Sequence, residues 1–475
     1  MGQWSRSLAR VGGQWAVLAV SVGLAVWVGL YLVARRLVGD AVWQLRAGQW
    51  QLRHGRVLSH NIFTWTLAGR PWINMEWGYD WAFAHLWAVG PWMMVVAVMA
   101  AGAAFVWGLA VLARLQGVPW GWVAGIVALG ALLSAPWWSF RPQVFIYPLV
   151  VWWLVLVWWG RARPGLGRWW MVAAWLVELV AVQVEGSWLL FLVWAVVEVV
   201  FAWRDVGHWL FLLGTWLVPV INPWGVAGYY HEFWLVGNPW IGASIGEWLP
   251  PDLGQWANIL TLWPVLVVGM VGVLWLRPKW RWRSAVYFGG CGLAVLHAWR
   301  FEFLGGVALV ALAGMVRRWP SFGRWGSSWW SVVVGGAVVV LVAAASMPVA
   351  VAASIPKGAR WLSPSLEPRV ALAWVADHAG ARKVWAWEYW STGLEWYGRR
   401  AWVDGRADFF LAYRDHVWQS YVEALSGTRS VLPIVKGSGA TWLLVPRVSL
   451  FAVEARGAGW PVVWRGQVAE VFRVR

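Results

Sequence analysis

Apolar residues in this chain come in runs of about twenty, broken by short polar stretches, and runs of that length predict membrane-spanning helices rather than buried core helices. The runs fall near 14–34, 91–113, 118–136, 143–160, 169–184, 187–203, 208–222, 259–276, 284–298, 303–316 and 329–352. The pattern therefore predicts an α-helical transmembrane bundle of about eleven spans, the ninth and tenth short for a crossing. Arg6 and Arg10 precede the first run, as in a signal peptide. That run is long and no small-residue cleavage site follows, so it predicts an uncleaved signal anchor. A large polar loop, 35–90, separates the first two runs. After Ala352 the pattern changes. Residues 353–367 form a Pro/Ser-containing linker, and 368–475 alternate helix-like and strand-like segments. "PRVALAWVADHAG" and "YRDHVWQSYVEALSG" predict helices; "KVWAWEY", "RAWVDG", "TWLLVP", "PVVWRG" and "AEVFRVR" predict strands. Together they predict a small α/β domain.

Composition supports a membrane protein. Of 475 residues, 61% are hydrophobic and 12% charged, about half the charge of a soluble domain. The formal net charge of +17 is accounted for by arginines on alternate loops rather than by nucleic-acid binding, since no basic run stands apart from the spans. Arg114, Arg161, Arg163, Arg168, Arg204, the run "RPKWRWR" and Arg317, Arg318 and Arg324 all fall on loops that become cytoplasmic if the N-terminus is cytoplasmic. The same orientation makes the loop 35–90 and the C-terminal domain extracytoplasmic. That loop carries six arginines (Arg35, Arg36, Arg46, Arg53, Arg56 and Arg70) against the charge rule, which implies acids or lipid phosphates as their partners. The lone Cys291 lies in an apolar run and excludes an internal disulfide. There are 53 tryptophans, spread through spans and loops alike.

Polar groups at the outer ends of membrane helices are costly and mark functional candidates. Asp40 lies just beyond the first span, and Glu76 near the return of the same loop. Two carboxylates there suit a general base and a metal ligand; the competing reading has Asp40 capping a helix and pairing with Arg46 or Arg36. Arg141 and Gln143, in "SFRPQVF", stand at the outer start of the fourth span, where an Arg can bind a lipid phosphate or simply snorkel. Glu185 sits in the short turn "VQVEGSW"; His231, Glu232 and Glu247 follow the span-ending Asn222-Pro223. "DGRAD" reads as a turn at Asp404-Gly405 with Arg406 and Asp408 pairing across it. No P-loop, dinucleotide fingerprint, GxSxG elbow or HExxH motif occurs, and there is no inverted hydropathy repeat of the transporter kind.

Several ordered motifs carry a resemblance. Asp40 after the first span is followed by Trp43, Leu45 and Gly48, by His54-Gly55, then by "FTWTLAGRPW" and Glu76-Trp77. Farther on come "RPQVF", "QVEGSW", "NPWG", "EWLPPD" and "EYWSTGLEWYGRRAWVDGRADFF". From Asp40 to the C-terminus this order resembles bacterial multi-span membrane proteins of the GT-C glycosyltransferase-like superfamily, which are similar to protein O-mannosyltransferases and oligosaccharyltransferase catalytic subunits. The resemblance implies a GT-C-like bundle, an essential acid in the first outer loop, an outer soluble domain and a polyprenyl-phosphate-linked sugar donor. That acid acts as general base, with inversion at the anomeric carbon. Carried onto this chain, the resemblance matches Asp40 to that acid and Glu76 loosely to a second; these two are the expected catalytic residues, and Arg46, His54, Arg141, Gln143, Glu185 and Arg300 the expected substrate-binding residues. Two departures stand out. Ala41 and Val42 replace a paired acid after Asp40, and Gln183 and Glu185 stand where Asn and His are usual. A divalent metal ion is thus an open question.

The expectation is an inverting membrane glycosyltransferase in the cytoplasmic membrane. Its partners are the polyprenyl-phosphate sugar donor, membrane lipids and a glycan or protein acceptor, with no nucleic acid. The alternatives are a non-catalytic protein of the same fold that binds polyprenyl lipid or holds an envelope complex, and a transporter of lipid-linked substrates.

Overall fold

A computed structural model describes residues 3–35, 37, 39–134, 137–163, 167–252, 254, 282–316, 368–413 and 416–475. In chain order the helices of the apolar part are α1 (Gln3–Arg35), α2 (Asp40–His54), α3 (Trp77–Val89), α4 (Pro91–Leu115), α5 (Trp120–Ser134), α6 (Gln143–Ala162), α7 (Trp169–Val184), α8 (Leu189–Phe201), α9 (Val206–Leu217), α10 (Val226–Gly237), α11 (Pro239–Ser244), α12 (Trp282–His297) and α13 (Leu304–Val316). Among the described residues three helical stretches are long and apolar enough to cross a membrane: Gly12–Val33, Pro91–Leu115 and Gln143–Ala162. Shorter apolar helices occupy the expected spans at Trp122–Ser134, Trp169–Val184, Gly186–Phe201, Val206–Val220 and Leu304–Met315. The expected spans 259–276 and 329–352, the linker 353–367 and the arginines of "RPKWRWR" before Arg283 lie outside the described residues.

The chain divides into two compact units. The first takes its residues from Met1–Ala34, Trp92–Tyr229 and Ile245–Ala353. Large rings fill its core. Trp138 meets Phe105 and Tyr147 edge-on, Tyr147 stacks on Phe303 at 4.3 Å, and Trp153 lies against Phe191 and Phe211. Trp138, Trp153 and Trp188 are completely buried, so these three serve as core rather than as an interface belt. Two arginines read from sequence as orienting charges have a second role. Arg161 and Arg283 both pair with buried Glu198 at 2.5 Å, and the Tyr287 hydroxyl donates to the same carboxylate at 2.6 Å. One acid thereby ties the ends of α6 and α12 to α8.

The second unit takes Arg35–Pro91, Tyr230–Ser244 and Ser354–Arg475, so the first loop packs with the C-terminal segment. Its helices there are α14 (Arg369–His378), α15 (Glu388–Trp396), α16 (Ala407–Leu411), α17 (Val417–Leu425), α18 (Val431–Gly437) and α19 (Leu450–Gly457). Its strands are β1 (Val384–Ala386), β2 (Trp442–Pro446), β3 (Val462–Arg465) and β4 (Ala469–Arg473), in the order β1-β2-β4-β3. β1 runs parallel to β2 in register Trp385↔Leu443; β4 is antiparallel to both β2 and β3. Leu372, Val375, Trp390, Leu394, Leu444 and Val471 close the core between sheet and helices.

The strand expected at "RAWVDG" does not form. Ala401 instead exchanges backbone hydrogen bonds with the loop: its N–H donates to the Phe63 carbonyl at 3.0 Å, and its carbonyl accepts from the Trp65 N–H at 3.0 Å. The segment's β propensity is spent on a bridge to "FTWT" rather than on the sheet. Within the loop, α2 packs on α3 at Gly48, where a β-carbon would overlap the Asp80 backbone and reach 2.8 Å from the Ala84 side chain. α2 also packs against α15.

Candidate functional site

Two polar groups hold the residues singled out from sequence, one in each unit. The first begins with Asp40, the opening residue of α2. A carboxylate is favourable there, because it faces the unsatisfied N–H groups and positive end of the helix. The Trp43 indole N–H donates to Asp40 Oδ1 at 3.1 Å. The same oxygen lies against Gly405 of "DGRAD", in the space a β-carbon at 405 would fill, and Glu388 Oε1 stands 3.5 Å from that point. Glycine at 405 thus lets a loop acid and a C-terminal-segment acid converge. Glu388 opens α15, and its backbone N–H donates to the Tyr421 hydroxyl at 3.2 Å. Burial, with the negative charges of Asp40 and Asp404 added, pushes the Glu388 carboxyl up to about 8.

Behind this pair lies a locked ion cluster. Arg406 Nε and Nη2 donate to the Asp404 carboxylate at 2.6–3.1 Å, and Nη2 also reaches Asn61 Oδ1 at 2.8 Å. The guanidinium sits over Phe63, Trp72 and Phe409 at 4.5–5.0 Å. Burial, and after it the charge of the adjoining Asp404, hold Glu395 well above the usual carboxyl range. The pair expected between Arg406 and Asp408 does not form, because Asp404 takes the Arg406 guanidinium. Asp408 faces His231 instead, at 3.4 Å.

Glu76 precedes α3, and Gln44 Nε2 donates to its Oε2 at 2.6 Å. Because Gln44 is one helical turn beyond Asp40, α2 links the two expected catalytic acids. Arg46 donates to Gln49 Oε1 at 3.2 Å and lies near Gly398 and Glu395. His54 is exposed in the last turn of α2, stacked on Trp50 at 4.1 Å. It is about 21 Å along the helix from Asp40, so the structure does not bring it to the acid pair.

The second group, in the other unit, joins Arg141, Glu185, Glu247 and Arg300. Arg141 grips Glu247 with both terminal nitrogens, at 2.6 and 3.2 Å. Arg300 Nη2 donates to Glu185 Oε1 at 2.5 Å and to Ser187 Oγ at 3.3 Å, and its Nη1 is 3.6 Å from Glu247. Glu185 Oε2 accepts the Ser187 N–H at 2.7 Å, and Trp248 covers the Arg300 guanidinium at 4.6 Å. Burial alone would raise Glu247; Arg141 and then Arg300 outweigh it and hold the carboxyl low. Burial likewise opposes the Arg300 charge, but Glu185 and Glu247 more than restore it. Two cations meet two anions, and each guanidinium holds a carboxylate. Gln143, two residues beyond Arg141, has a buried Oε1 without a hydrogen-bond partner.

Sequence reasoning missed Glu388, Glu395 and Gly405 as parts of the Asp40 group, and left Glu247 outside the binding set. The "EWLPPD" and "DGRAD" motifs pointed at the right segments, but only packing assigns their partners. No group of three or more His, Cys, Asp or Glu side chains is placed to hold a metal among the described residues. Asp40 and Glu388 bring two carboxylates together while Asp404 is committed to Arg406, too few for an all-protein cation cage but the number that holds a divalent ion alongside a substrate phosphate.

No family model matches the sequence, and no curated protein matches it. Solved structures do match its fold. The archaeal oligosaccharyltransferase AglB from Archaeoglobus fulgidus, in complex with an inhibitory peptide and a dolichol-phosphate, aligns with TM-score 0.59 at 11% identity, over 90% of this chain and 69% of that one. ArnT from Cupriavidus metallidurans, in the apo state, aligns with TM-score 0.52 at 16% identity, over 97% and 98%. The arabinofuranosyltransferase AftD from Mycobacteria aligns with TM-score 0.52 at 15% identity, over 97% of this chain and 40% of that one. All three have the GT-C fold, and this chain shares it.

Proposed function

We propose that this chain is an integral-membrane glycosyltransferase that takes a sugar from a polyprenyl-phosphate-linked donor, on the outer face of the cytoplasmic membrane, with inversion at the anomeric carbon. The observation that carries this reading is the Asp40 carboxylate, held at a helix N-terminus against Gly405 and facing Glu388, in a chain of GT-C fold.

In the proposed step Asp40 accepts the proton of an acceptor hydroxyl. The freed oxygen forms a bond to the anomeric carbon from the face opposite the phosphate. The bond from that carbon to the phosphate oxygen breaks, and the phosphate leaves with its electron pair. Glu388 keeps the pair at one negative charge: with its carboxyl protonated, Asp40 stays ionised and basic. No step runs through a metal. The Arg141–Glu247–Arg300–Glu185 network is internally neutral and is assigned to holding helix ends together rather than to phosphate binding. This neutrality is also what the non-catalytic alternative would use as support, and one assay separates the two.

The assay uses the full chain in nanodiscs with a panel of labelled polyprenyl-phosphate sugars and follows release of the lipid phosphate. Turnover that Asp40→Asn abolishes supports the proposal. Turnover equal in wild type and Asp40→Asn keeps a transferase and removes Asp40 as its base. Lipid binding without turnover on any donor sinks the enzyme reading.

A further inference from the structure

A corner of the C-terminal segment, far in sequence from Asp40, carries a charge arrangement the proposed reaction does not use. Glu470 on β4 is 1% exposed, and three arginines converge on it: Arg456 at 2.5 Å, Arg465 at 2.7 Å and Arg447 at 4.0 Å. One carboxylate against three guanidiniums leaves two positive charges in excess around Glu470, one of them offset by Glu454 of α19, whose carboxylate accepts from Ser430 and Val431. The arginine side chains are between 37% and 53% exposed, anchored at one side and open to solvent at the other.

Aliphatic side chains project among them. Val448 is 93% exposed, Val468 62%, Val453 55% and Leu450 47%. A backbone hydrogen bond from the Arg447 N–H to the Val468 carbonyl, at 3.0 Å, sets the turns bearing Val448 and Val468 side by side. Arg456 donates to the Arg447 carbonyl at 3.3 Å and steadies the same turn. Leu450 and Val453 share the open face of α19, while Phe451, Ala452 and Ala455 take its buried face. Val448 could have been polar at no cost to the fold, since it touches little of it.

We propose that this corner docks on an anionic lipid surface, with Val448, Val468, Leu450 and Val453 entering the boundary below the headgroups and Arg447, Arg456 and Arg465 binding lipid phosphates. Excess positive charge around protruding aliphatic tips is the chemistry of an interfacial contact. A free phosphate would need donors that enclose it, and tips as exposed as Val448 enclose nothing. The inference does not depend on the transferase reading.

The test uses the full chain in nanodiscs of phosphatidylcholine alone, or mixed equally with phosphatidylglycerol. Val448→Cys is labelled with an environment-sensitive fluorophore in a Cys291→Ala background, the native thiol being buried. Asp377→Cys serves as a control, and quenching by brominated lipid reports contact. The expected result is strong quenching at 448 in the anionic discs, weak quenching in phosphatidylcholine and none at 377. Raising the salt should reduce the signal at 448. Arg447→Gln with Arg465→Gln, which leaves Arg456 to pair with Glu470, should lower the docked-to-undocked ratio about fivefold per arginine removed. Quenching at 448 no greater than at 377 overturns the proposal. Equal quenching in both lipids, insensitive to salt, overturns it too, because the arginines would then have no headgroup to recognise.

Discussion

The Asp40 carboxylate occupies the space in which a side chain at position 405 would begin. The loop acid and the glycine of "DGRAD" are thus a fitted pair, separated by most of the chain. Gly405 is not among the residues with left-handed backbone, so alanine is acceptable to the main chain there, and the conflict lies with Asp40 alone.

Gly405→Ala is therefore expected to push the Asp40 carboxylate aside while leaving the fold intact. A displacement of about 1 Å at a catalytic group can cost about 100-fold in rate. Turnover in nanodiscs should fall by that order, with an unchanged melting temperature. Full activity in a folded Gly405→Ala chain would separate Asp40 from the chemistry.

The Asp40–Glu388 pair predicts a pH signature. Loss of the Glu388 proton near pH 8 puts a second negative charge beside Asp40, so activity should decline on that alkaline limb. Glu388→Gln should remove the limb, whereas Asp40→Asn should lower the rate about 100- to 10,000-fold at every pH. Stability follows the same group. Its carboxyl lies at about 8 in the fold against an ordinary 4.5, so between those values the folded chain binds more protons than the unfolded one. The stabilisation is complete below 4.5, declines as pH rises, and is gone above about 8. A Glu388→Gln chain should show a flatter melting profile across that window.

The network around Arg300 predicts a structural defect. Arg300→Met leaves Glu185 without its 2.5 Å partner and Glu247 with Arg141 alone. Removing one side of a buried ion pair costs about 3–5 kcal/mol. The thermal midpoint in detergent should drop sharply, and Arg300→Met with Glu185→Gln should recover part of it. No loss in the single variant would mean the network is solvated.

Arg406 predicts loosening of the first loop. Lysine cannot reproduce the two-nitrogen grip on Asp404, reach Asn61 at the same time and lie flat among Phe63, Trp72 and Phe409. Arg406→Lys should expose the loop to limited proteolysis at Arg70, with α2 itself still protected. Cleavage at the wild-type rate would show that the Ala401 bridge to Phe63 and Trp65 suffices to hold the loop.

Hydrophobic periodicity by itself determined where the apolar helices lie, that a large polar loop follows the first of them, and that the chain ends in alternating helices and strands. Those features depend on local composition, which neighbours along the chain supply. It marked Asp40, Arg141 and Glu185 as costly polar groups, and read "DGRAD" as a turn. What those groups do was decided only in three dimensions. Arg141 reads in isolation as a phosphate ligand or a snorkelling side chain, and only the fold shows that it grips Glu247 while Arg300 holds Glu185. "RAWVDG" has strand propensity, yet it bridges the loop at Ala401 because its backbone partners lie at Phe63 and Trp65. Glu388 has nothing in its sequence neighbourhood to single it out; its altered acidity comes from burial beside Asp40 and Asp404. Charge pairing and desolvation depend on distances across the fold, and a linear sequence does not contain them.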